Sequence, residues 1–372
     1  MTTFSEIGIH KSYIKALNEL NIINPTEIQA SVIPILLKSE VDLIGLAQTG
    51  TGKTAAFGLP VLHAIDTKLS DIQALIIAPT RELVQQIKKQ LFRFTKYNDQ
   101  NIFVEGVYGG EKIEKQIKAL TRTTHVVVAT PGRLLDLVER GAVDISNVKL
   151  LVLDEADEML SMGFKEDINK ILKYNTTKRN TWLFSATMPE EIKHIVKTYM
   201  AVDAIKVEVK KHELVNENIS HHFIRTNIPD KLNMLIRVLK KRHNERGIIF
   251  CRTKAGTRKL TNQLQEEGFA VGGLEGDMQQ LERDKVMRAF KNESIQVLIS
   301  TDVSARGIDV TNLEFVLHHQ LPEQTEYYTH RSGRTARAGK KGQSIVLLIP
   351  GEMQKVKELQ KVLGIAFSEI SI

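Results

Sequence analysis

The chain contains an uninterrupted apolar run, Leu150-Leu151-Val152-Leu153, that ends directly in the acidic segment Asp154-Glu155-Ala156-Asp157. Four consecutive apolar residues are typical of a strand that is buried on both faces of a parallel sheet. Open α/β sheets bind ligands beyond the carboxyl ends of their strands, which is where these acids fall. An unpaired carboxylate is costly to bury, so the acids predict a cationic partner, and a magnesium ion beside a phosphate would be one.

A phosphate-binding loop is predicted upstream, over Ala47-Gln48-Thr49-Gly50-Thr51-Gly52-Lys53-Thr54, between a predicted strand and a predicted helix. Its glycines allow several backbone N–H groups to converge on one anion, and the helix N-terminus adds partial positive charge. Lys53 is expected to reach the β- and γ-phosphates of a nucleotide, and the Thr54 hydroxyl is expected to hold Mg²⁺. The usual pattern begins with glycine, but Ala47 is small enough for the same turn.

Strand and helix patterns alternate along the chain, which predicts an α/β fold with mostly parallel sheets and helices on both faces. The polar stretch 209–218 has no clear period and is predicted to be a linker between a domain over residues 1–208 and a second over 219–372. The predicted strands are 41–47, 74–78, 102–107, 125–129, 150–153, 182–185, 205–209, 221–225, 247–251, 270–274, 297–300, 315–318 and 344–349. The predicted helices include 54–65, 82–95, 134–140, 190–199, 231–240, 255–267 and 281–290.

Composition narrows the class of protein. The 372 residues are 42% hydrophobic, yet no apolar run reaches the roughly 18 residues that span a membrane. The first residues do not have the pattern of a secretory signal, and the single cysteine, Cys251, excludes an internal disulfide; both points favour the cytoplasm. A net charge of +7 is compatible with a polyanionic partner, although solvated basic helix faces give the same excess.

The second domain carries an arginine-rich segment, His330-Arg331-Ser332-Gly333-Arg334-Thr335-Ala336-Arg337-Ala338-Gly339. Arginine suits planar, bidentate contact with phosphate. The spacing of Arg334 and Arg337 would place both on one helical face, where they could stabilise transition-state charge on a γ-phosphate. A basic surface loop, or one that binds only RNA, is the alternative interpretation.

A set of short motifs runs in order along nearly the whole chain. The motifs are Pro25–Gln29, Ala47–Thr54, Pro79–Leu83, Gly109-Gly110, Thr130–Arg133, Asp154–Asp157, Ser185–Thr187, Ile249–Thr253, Gln280–Arg283, Thr301–Asp309 and His330–Gly339. This ordered set resembles the DEAD-box ATP-dependent RNA helicases of superfamily 2, of bacterial type. The resemblance implies two tandem RecA-like domains and RNA-stimulated ATP hydrolysis. It also implies that domain closure separates short RNA duplexes or remodels RNA–protein complexes.

The resemblance also implies roles for individual residues around ATP and Mg²⁺. Asp154 would hold the metal through water, and Glu155 would deprotonate the attacking water. Asp157 would couple to Ser185, Thr187 and His330, Gln29 would read the adenine edge, and Asp309 would accept from the ribose. Together with Lys53, Asp154, Glu155, Arg334 and Arg337, the implied nucleotide contacts are Phe4, Thr26, Gln29, Gln48, Thr49, Gly50, Thr51, Gly52, Thr54, Gly307 and Asp309.

RNA is expected to lie across both domains, opposite the nucleotide. The implied contacts are hydroxyls, glycine N–H groups and arginines, which read the phosphate backbone and carry little sequence information. Binding should therefore be salt-sensitive and nearly independent of sequence, with RNA preferred over DNA through the 2′-hydroxyl. The candidates are Arg81, Gly109, Gly110, Thr130, Arg133, Asp136, Arg252, Thr253, Arg283 and Thr301.

Two positions depart from the family pattern. Ile22 stands where the family usually places an aromatic residue to stack on adenine, so plain apolar contact is expected instead. Gln320 stands where many members carry an aspartate, and it cannot supply charge. The adjacent pairs His221-His222 and His318-His319 do not predict a metal site, because neighbouring residues on a strand point to opposite faces.

Two other classes of protein remain open at this point. A DNA translocase of the same superfamily would share the phosphate loop, and a non-enzymatic RNA clamp would share both binding sites. We expect a monomer, with ribosomal or RNA-decay proteins as candidate partners. The chain ends soon after its last predicted helix, and we expect a segment that directs substrate choice to be missing after Ile372.

Overall fold

The structure, a computed structural model, describes residues 2–48, 50–174, 178–209, 217–305, 313–336 and 340–371, with the backbone alone for Glu326. The chain divides into two compact units between residues 210 and 211. Within the described residues each unit is built on one parallel sheet of seven strands. The predicted fold class, α/β with parallel sheets, is therefore confirmed.

In the first unit the strands lie in the order β3-β4-β2-β5-β6-β1-β7. The helices precede or follow the strands in the alternating pattern that parallel pairing requires. The strands are β1 (Leu43–Leu46), β2 (Ala74–Ile77), β3 (Val104–Val107), β4 (Val126–Ala129), β5 (Leu150–Leu153), β6 (Asn180–Ser185) and β7 (Ile205–Glu208). The helices are α1 (Lys11–Glu19), α2 (Glu27–Lys38), α3 (Lys53–Ala64), α4 (Arg81–Phe94), α5 (Ile113–Leu120), α6 (Pro131–Glu139), α7 (Ala156–Ser161), α8 (Lys165–Tyr174) and α9 (Glu190–Tyr199).

The apolar run of β5 is buried on both faces of this sheet. Leu150 and Val152 pack into one hydrophobic core, and Leu151 and Leu153 pack into the other. Successive side chains of a strand point to opposite faces, so a strand covered by helices on both sides must be apolar throughout. This is why the acids can follow only where the strand ends.

In the second unit the strands lie in the order β10-β11-β9-β12-β13-β8-β14. The strands are β8 (Ile219–Arg225), β9 (Gly247–Phe250), β10 (Val271–Leu274), β11 (Val297–Ser300), β12 (Phe315–His318), β13 (Gly342–Leu348) and β14 (Phe367–Glu369). The helices are α10 (Lys231–Lys241), α11 (Lys254–Glu266), α12 (Gln280–Lys291), α13 (Asp302–Ala305), α14 (Thr325–Ser332) and α15 (Met353–Leu363). The last strand, β14, was not predicted; it pairs with β8 at the sheet edge.

Most predicted elements are found within one or two residues, and one difference has a clear cause. Strand β3 was predicted from residue 102 but begins at Val104. The backbone N–H of Phe103 donates to Nδ1 of His125 at 3.0 Å, so a side chain replaces the ladder bond at this position. The buried environments expected for Cys251 and Trp182 are confirmed.

Candidate nucleotide site and nucleic-acid interface

The predicted phosphate loop lies between β1 and α3, at the carboxyl end of its strand. Gly52 precedes the helix with a φ of 92°, in the left-handed region that glycine tolerates. A Cβ built on Gly52 would lie 2.3 Å from Nε2 of Gln29, so a larger residue would push this amide away. Thr51 donates from its hydroxyl to the carbonyl of Gln48 at 2.8 Å, which tightens the turn. Thr49 lies outside the described residues.

Lys53 and Asp154 are both buried at the carboxyl end of this sheet. The ammonium of Lys53 donates to the carbonyl of Ala47 at 3.0 Å, which keeps the side chain folded over the loop. Asp154 follows β5 and is 2% exposed. Burial raises the pKa of the Asp154 carboxyl to about 7, against the opposing effect of the charge on Lys53. This carboxylate is therefore poised for a cation that would stabilise its charged form.

Glu155 has an unusual backbone conformation. Its φ of 51° and ψ of 50° place it in the left-handed region at the start of α7, where residues other than glycine are uncommon. Strain of about 1–3 kcal/mol is typical of such a residue and concentrates at functional sites. The Glu155 N–H donates to Oδ1 of the preceding residue, Asp154, at 3.0 Å.

Gln29 lies on α2 and links that helix to the phosphate loop. Its Oε1 accepts from the N–H of Thr26 at 3.0 Å, and its Nε2 donates to the carbonyl of Gly52 at 3.0 Å. A side-chain amide has two donors and two acceptor lone pairs, so one of each is left for a purine edge. Phe4 is buried in the first hydrophobic core, and Ile22 is partly buried and packs against that core.

Asp157 contacts the segment that follows β6. Its Oδ2 accepts from the N–H and the hydroxyl of Thr187 at 2.9 and 2.8 Å. Ser185 also bonds Asp157: the Ser185 Oγ accepts from the Asp157 N–H at 3.3 Å. Asp157 is therefore joined to two of the three residues predicted for it. The third, His330, lies on α14 of the second unit.

The RNA candidates of the first unit converge at the ends of β2, β3 and β4, beside the nucleotide residues at β1 and β5. Arg81 begins α4, Thr130 precedes α6, and Arg133 lies in the first turn of α6. Gly110, in the turn after β3, has a φ of 83° that favours glycine. Asp136 instead forms an ion pair with Arg140 at 2.6 Å.

The candidates of the second unit lie after β9 and β11 and on α12. Thr253 caps α11, accepting from the Gly256 N–H at 3.0 Å. Arg283 donates to the carbonyl of Ser304 at 2.7 Å, and Thr301 donates to the Ser304 hydroxyl at 3.0 Å. Arg252 donates to the carbonyl of Leu321 at 3.3 Å. Arg283 and Thr301 therefore share Ser304 as a partner, while Arg252 and Thr253 follow β9, the strand that pairs with β11.

The arginine-rich segment differs from the sequence expectation. Helix α14 ends at Ser332 with Gly333 as its cap, so Arg334 lies in the turn beyond the helix. The prediction that Arg334 and Arg337 share one helical face is therefore wrong for Arg334, because α14 ends at Ser332, before it. The candidates of the second unit that lie outside the described residues are Arg337, Gly307 and Asp309.

Gln320 has a defined contact despite its lack of charge. Its Oε1 accepts from the backbone N–H of Arg252 at 3.1 Å, which joins the ends of β12 and β9. An uncharged amide oxygen is sufficient for this bond. The departure from the family pattern thus changes the local charge but keeps an acceptor in place.

Sequence reasoning missed several polar residues that organise these sites. Arg331, 2% exposed, donates to both carboxylate oxygens of Asp302 at 2.6 and 2.7 Å. Gln116 on α5 is buried and bonds Arg133 at 2.8 Å. The position of Arg331 inside the arginine-rich segment was a signal for it. No signal of apolar periodicity could have identified Gln116, because its partners come from other elements.

The fold and the site define a phosphate-loop nucleotide-binding protein made of two parallel α/β units. The family model for DEAD/DEAH box helicases matches residues 26–195, and that for the helicase conserved C-terminal domain matches residues 230–339. The chain belongs to the DEAD-box family of ATP-dependent RNA helicases.

The relatives support this membership over most of the chain. A DEAD-box ATP-dependent RNA helicase CshA of Geobacillus kaustophilus is 41% identical over 361 residues, which are 97% of this chain and 76% of the relative. The ATP-dependent RNA helicase CshA of Listeria monocytogenes is 43% identical over 353 residues, 95% of this chain and 67% of the relative.

Solved structures give the same result. S. cerevisiae Dbp5 bound to RNA and ADP BeF3 has a TM-score of 0.90 at 29% identity, covering 100% of this chain and 96% of that one. Mss116p bound to ssRNA and AMP-PNP has a TM-score of 0.86 at 28% identity, covering 100% of this chain and 80% of that one. The expected pair of RecA-like domains is thereby confirmed. Among the described residues, no helix has the length and apolar character to cross a membrane.

Proposed function

We propose that this chain binds ATP with Mg²⁺ in its first unit and hydrolyses the ATP in response to RNA. The cycle would separate short duplexes or remodel RNA–protein complexes. One observation carries the proposal. The buried Lys53 and Asp154 lie at the carboxyl end of the same sheet as the turn at Gly109-Gly110 and Arg133. Chemistry at one group of strand ends can therefore respond to a nucleic acid bound at the neighbouring ones.

Each nucleotide residue has a distinct part in this proposal. The phosphate loop binds the triphosphate through backbone N–H groups, with Lys53 at the β- and γ-phosphates. Thr54 and Asp154 would hold Mg²⁺, the latter through water, and the ion would neutralise phosphate charge. The buried carboxyl of Asp154, with its raised pKa, supports the fit, since a cation favours the ionised form.

Glu155 is proposed as the general base. It accepts a proton from the water that attacks the γ-phosphorus, while the bond to the bridging oxygen breaks and ADP departs. Arg334 and Arg337 are proposed to stabilise the charge of this transition state when the two units close, an effect worth roughly 10³–10⁵ in rate. Gly307 and Asp309 would contribute to the nucleotide site, with Asp309 as the acceptor for the ribose.

RNA is proposed to bind through its backbone. The hydroxyls, glycine N–H groups and arginines of the two surfaces suit phosphate and sugar, so little sequence preference is expected. We further propose that the chain acts as a monomer in the cytoplasm. Ribosomal or RNA-decay proteins are the partners we would test first.

Stimulation of ATP hydrolysis by RNA and by DNA of equal length tests the proposal. RNA should stimulate strongly and DNA weakly, and equal stimulation by DNA would instead support a DNA translocase. A single-turnover assay at saturating RNA separates an enzyme from a clamp that binds both ligands. Failure to complete one turnover would support the clamp.

A further inference from the structure

Gln116 is the one buried residue of helix α5, and it is polar. Gln116 is 4% exposed, whereas the apolar residues of the same short helix are only partly buried. A buried amide destabilises the fold unless its donors and acceptors are bonded. The Gln116 amide therefore needs hydrogen-bond partners, and the residues that supply them indicate what the side chain does.

The amide of Gln116 bonds both ends of the glycine turn and the arginine beside it. Its Nε2 donates to the carbonyl of Tyr108 at 3.0 Å and to Oε2 of Glu111 at 3.2 Å. Its Oε1 accepts from Arg133 at 2.8 Å. Tyr108 and Glu111 flank Gly109-Gly110, so one side chain spans the turn.

Arg133 is held in a second place as well. Its other terminal nitrogen donates to the carbonyl of Glu111 at 3.1 Å. A guanidinium has five N–H donors in a rigid fork, and these two bonds use two of them. The remaining donors keep a fixed direction, which is the arrangement that bidentate phosphate binding needs.

The opposite side of the turn is held by α4. The guanidinium of Arg81 lies 4.9 Å from the centre of the Tyr108 ring and donates to the Gly110 carbonyl at 3.4 Å. Gln85 donates to the Tyr108 hydroxyl at 2.9 Å. The turn and its flanking residues are therefore bonded both by residues of α4 and by Gln116 of α5, and of these side chains Gln116 is the buried one.

We propose that Gln116 is a positioning residue for RNA binding, which orients Arg133 and the Gly109-Gly110 turn toward the same phosphate backbone. This inference rests on the proposed RNA function of that surface. Gln116 itself is buried, so it acts through Arg133 and the turn and does not touch RNA.

The test compares Gln116→Met with Gln116→Ala in the full chain. Methionine keeps the volume and removes every hydrogen bond, so packing and positioning are separated. We expect the RNA concentration that half-saturates ATP hydrolysis to rise about tenfold in both variants, the effect of one bond to a charged group. The kcat at saturating RNA should be retained. A matched control is Gln90→Met on α4, whose buried Oε1 has no partner within the described residues.

Two further measurements make the outcome decisive. Loss of one ordered phosphate contact should reduce the slope of log affinity against log salt by about 0.7 on single-stranded RNA. Gln116→Met should also have little additional effect in an Arg133→Ala background.

If Arg133→Ala leaves RNA binding unchanged, the proposed function of this surface fails. If Arg133→Ala weakens RNA binding but Gln116→Met does not, or if Gln116→Met lowers kcat and RNA affinity together with thermal stability, the positioning role fails alone.

Discussion

Arg331 and Asp302 form a bidentate ion pair in which the arginine is buried and the aspartate partly exposed, with the Arg331 Nε and a terminal nitrogen donating to the two carboxylate oxygens at 2.6 and 2.7 Å. Asp302 directly follows the RNA candidate Thr301, and Arg331 directly follows His330. Another Arg331 nitrogen donates to the carbonyl of Gln320 at 2.8 Å. The pair therefore joins three segments of the second unit at one point.

Removing one member of this pair should destabilise the second unit. Arg331→Met leaves the partly exposed Asp302 carboxylate without its partner, and losing hydrogen bonds to a charged group costs about 1.5–3 kcal/mol. Urea unfolding followed by far-UV circular dichroism measures the loss. Fluorescence of Trp182, the single tryptophan and a residue of β6, reports the first unit and should not change. If Asp302→Asn is added, the two losses should not sum, because both variants remove the same contact.

The second unit should lose stability in mild acid. Burial lowers the pKa of His221 and of His319 to about 4, and burial also lowers that of His318 well below its usual value. The folded unit keeps these rings neutral while the unfolded chain protonates them near pH 6.5. Their contribution is therefore present above pH 6.5 and is lost as the pH falls toward 4, by about 1.4 kcal/mol per pH unit for each proton.

Urea titrations between pH 7 and pH 4.5 check this dependence. His319→Gln, which cannot titrate, should reduce the slope by one proton. A slope that is the same in this variant and in the unaltered chain would contradict the pKa assigned to His319. Trp182 fluorescence follows the unfolding of the first unit, whose stability should not depend on the histidines of the second unit.

Glu155→Gln should separate binding from hydrolysis. The amide keeps the size of the side chain but cannot accept a proton, so kcat should fall by roughly 10²–10⁴. Binding of ATP and RNA should remain, which nucleotide titration and fluorescence anisotropy of labelled RNA would show. Glu158→Gln on α7 is the matched control and should hydrolyse ATP at the normal rate. Normal turnover in Glu155→Gln would assign the base to another residue.

Binding of a nucleotide with Mg²⁺ should release a proton from Asp154. Its pKa of about 7 leaves the group about half protonated at pH 7, and a metal site requires the ionised form. Without a cation, the raised pKa stabilises the folded state at low pH, and this contribution is lost as the pH rises through 7.

Calorimetry of Mg²⁺–ADP binding in two buffers with different ionisation enthalpies measures the release. About half a proton is expected at pH 7, and less at pH 8, where the carboxyl is already ionised. Asp154→Asn should release none. Equal heats in the two buffers for the unaltered chain would show that Asp154 is ionised before the ligand arrives.

Sequence alone determined the parallel α/β class, the position of the phosphate loop and the end of β5 at which the acids stand. Local patterns were sufficient, because a strand buried on both faces must be apolar and a glycine-rich turn must precede the helix that receives phosphate. The adjacent order of Asp154 and Glu155 also followed from the sequence. These features depend on residues that are close together along the chain.

Only the tertiary structure decided which polar residues meet. Arg331 and Asp302 lie 29 residues apart, and Gln116 and Arg133 lie 17 apart. Both contacts depend on which strand ends are neighbours, and the strand order of a sheet is not encoded in the period of any single element. Apolar periodicity reports burial, whereas the partners of a buried polar group are set by the three-dimensional arrangement around it.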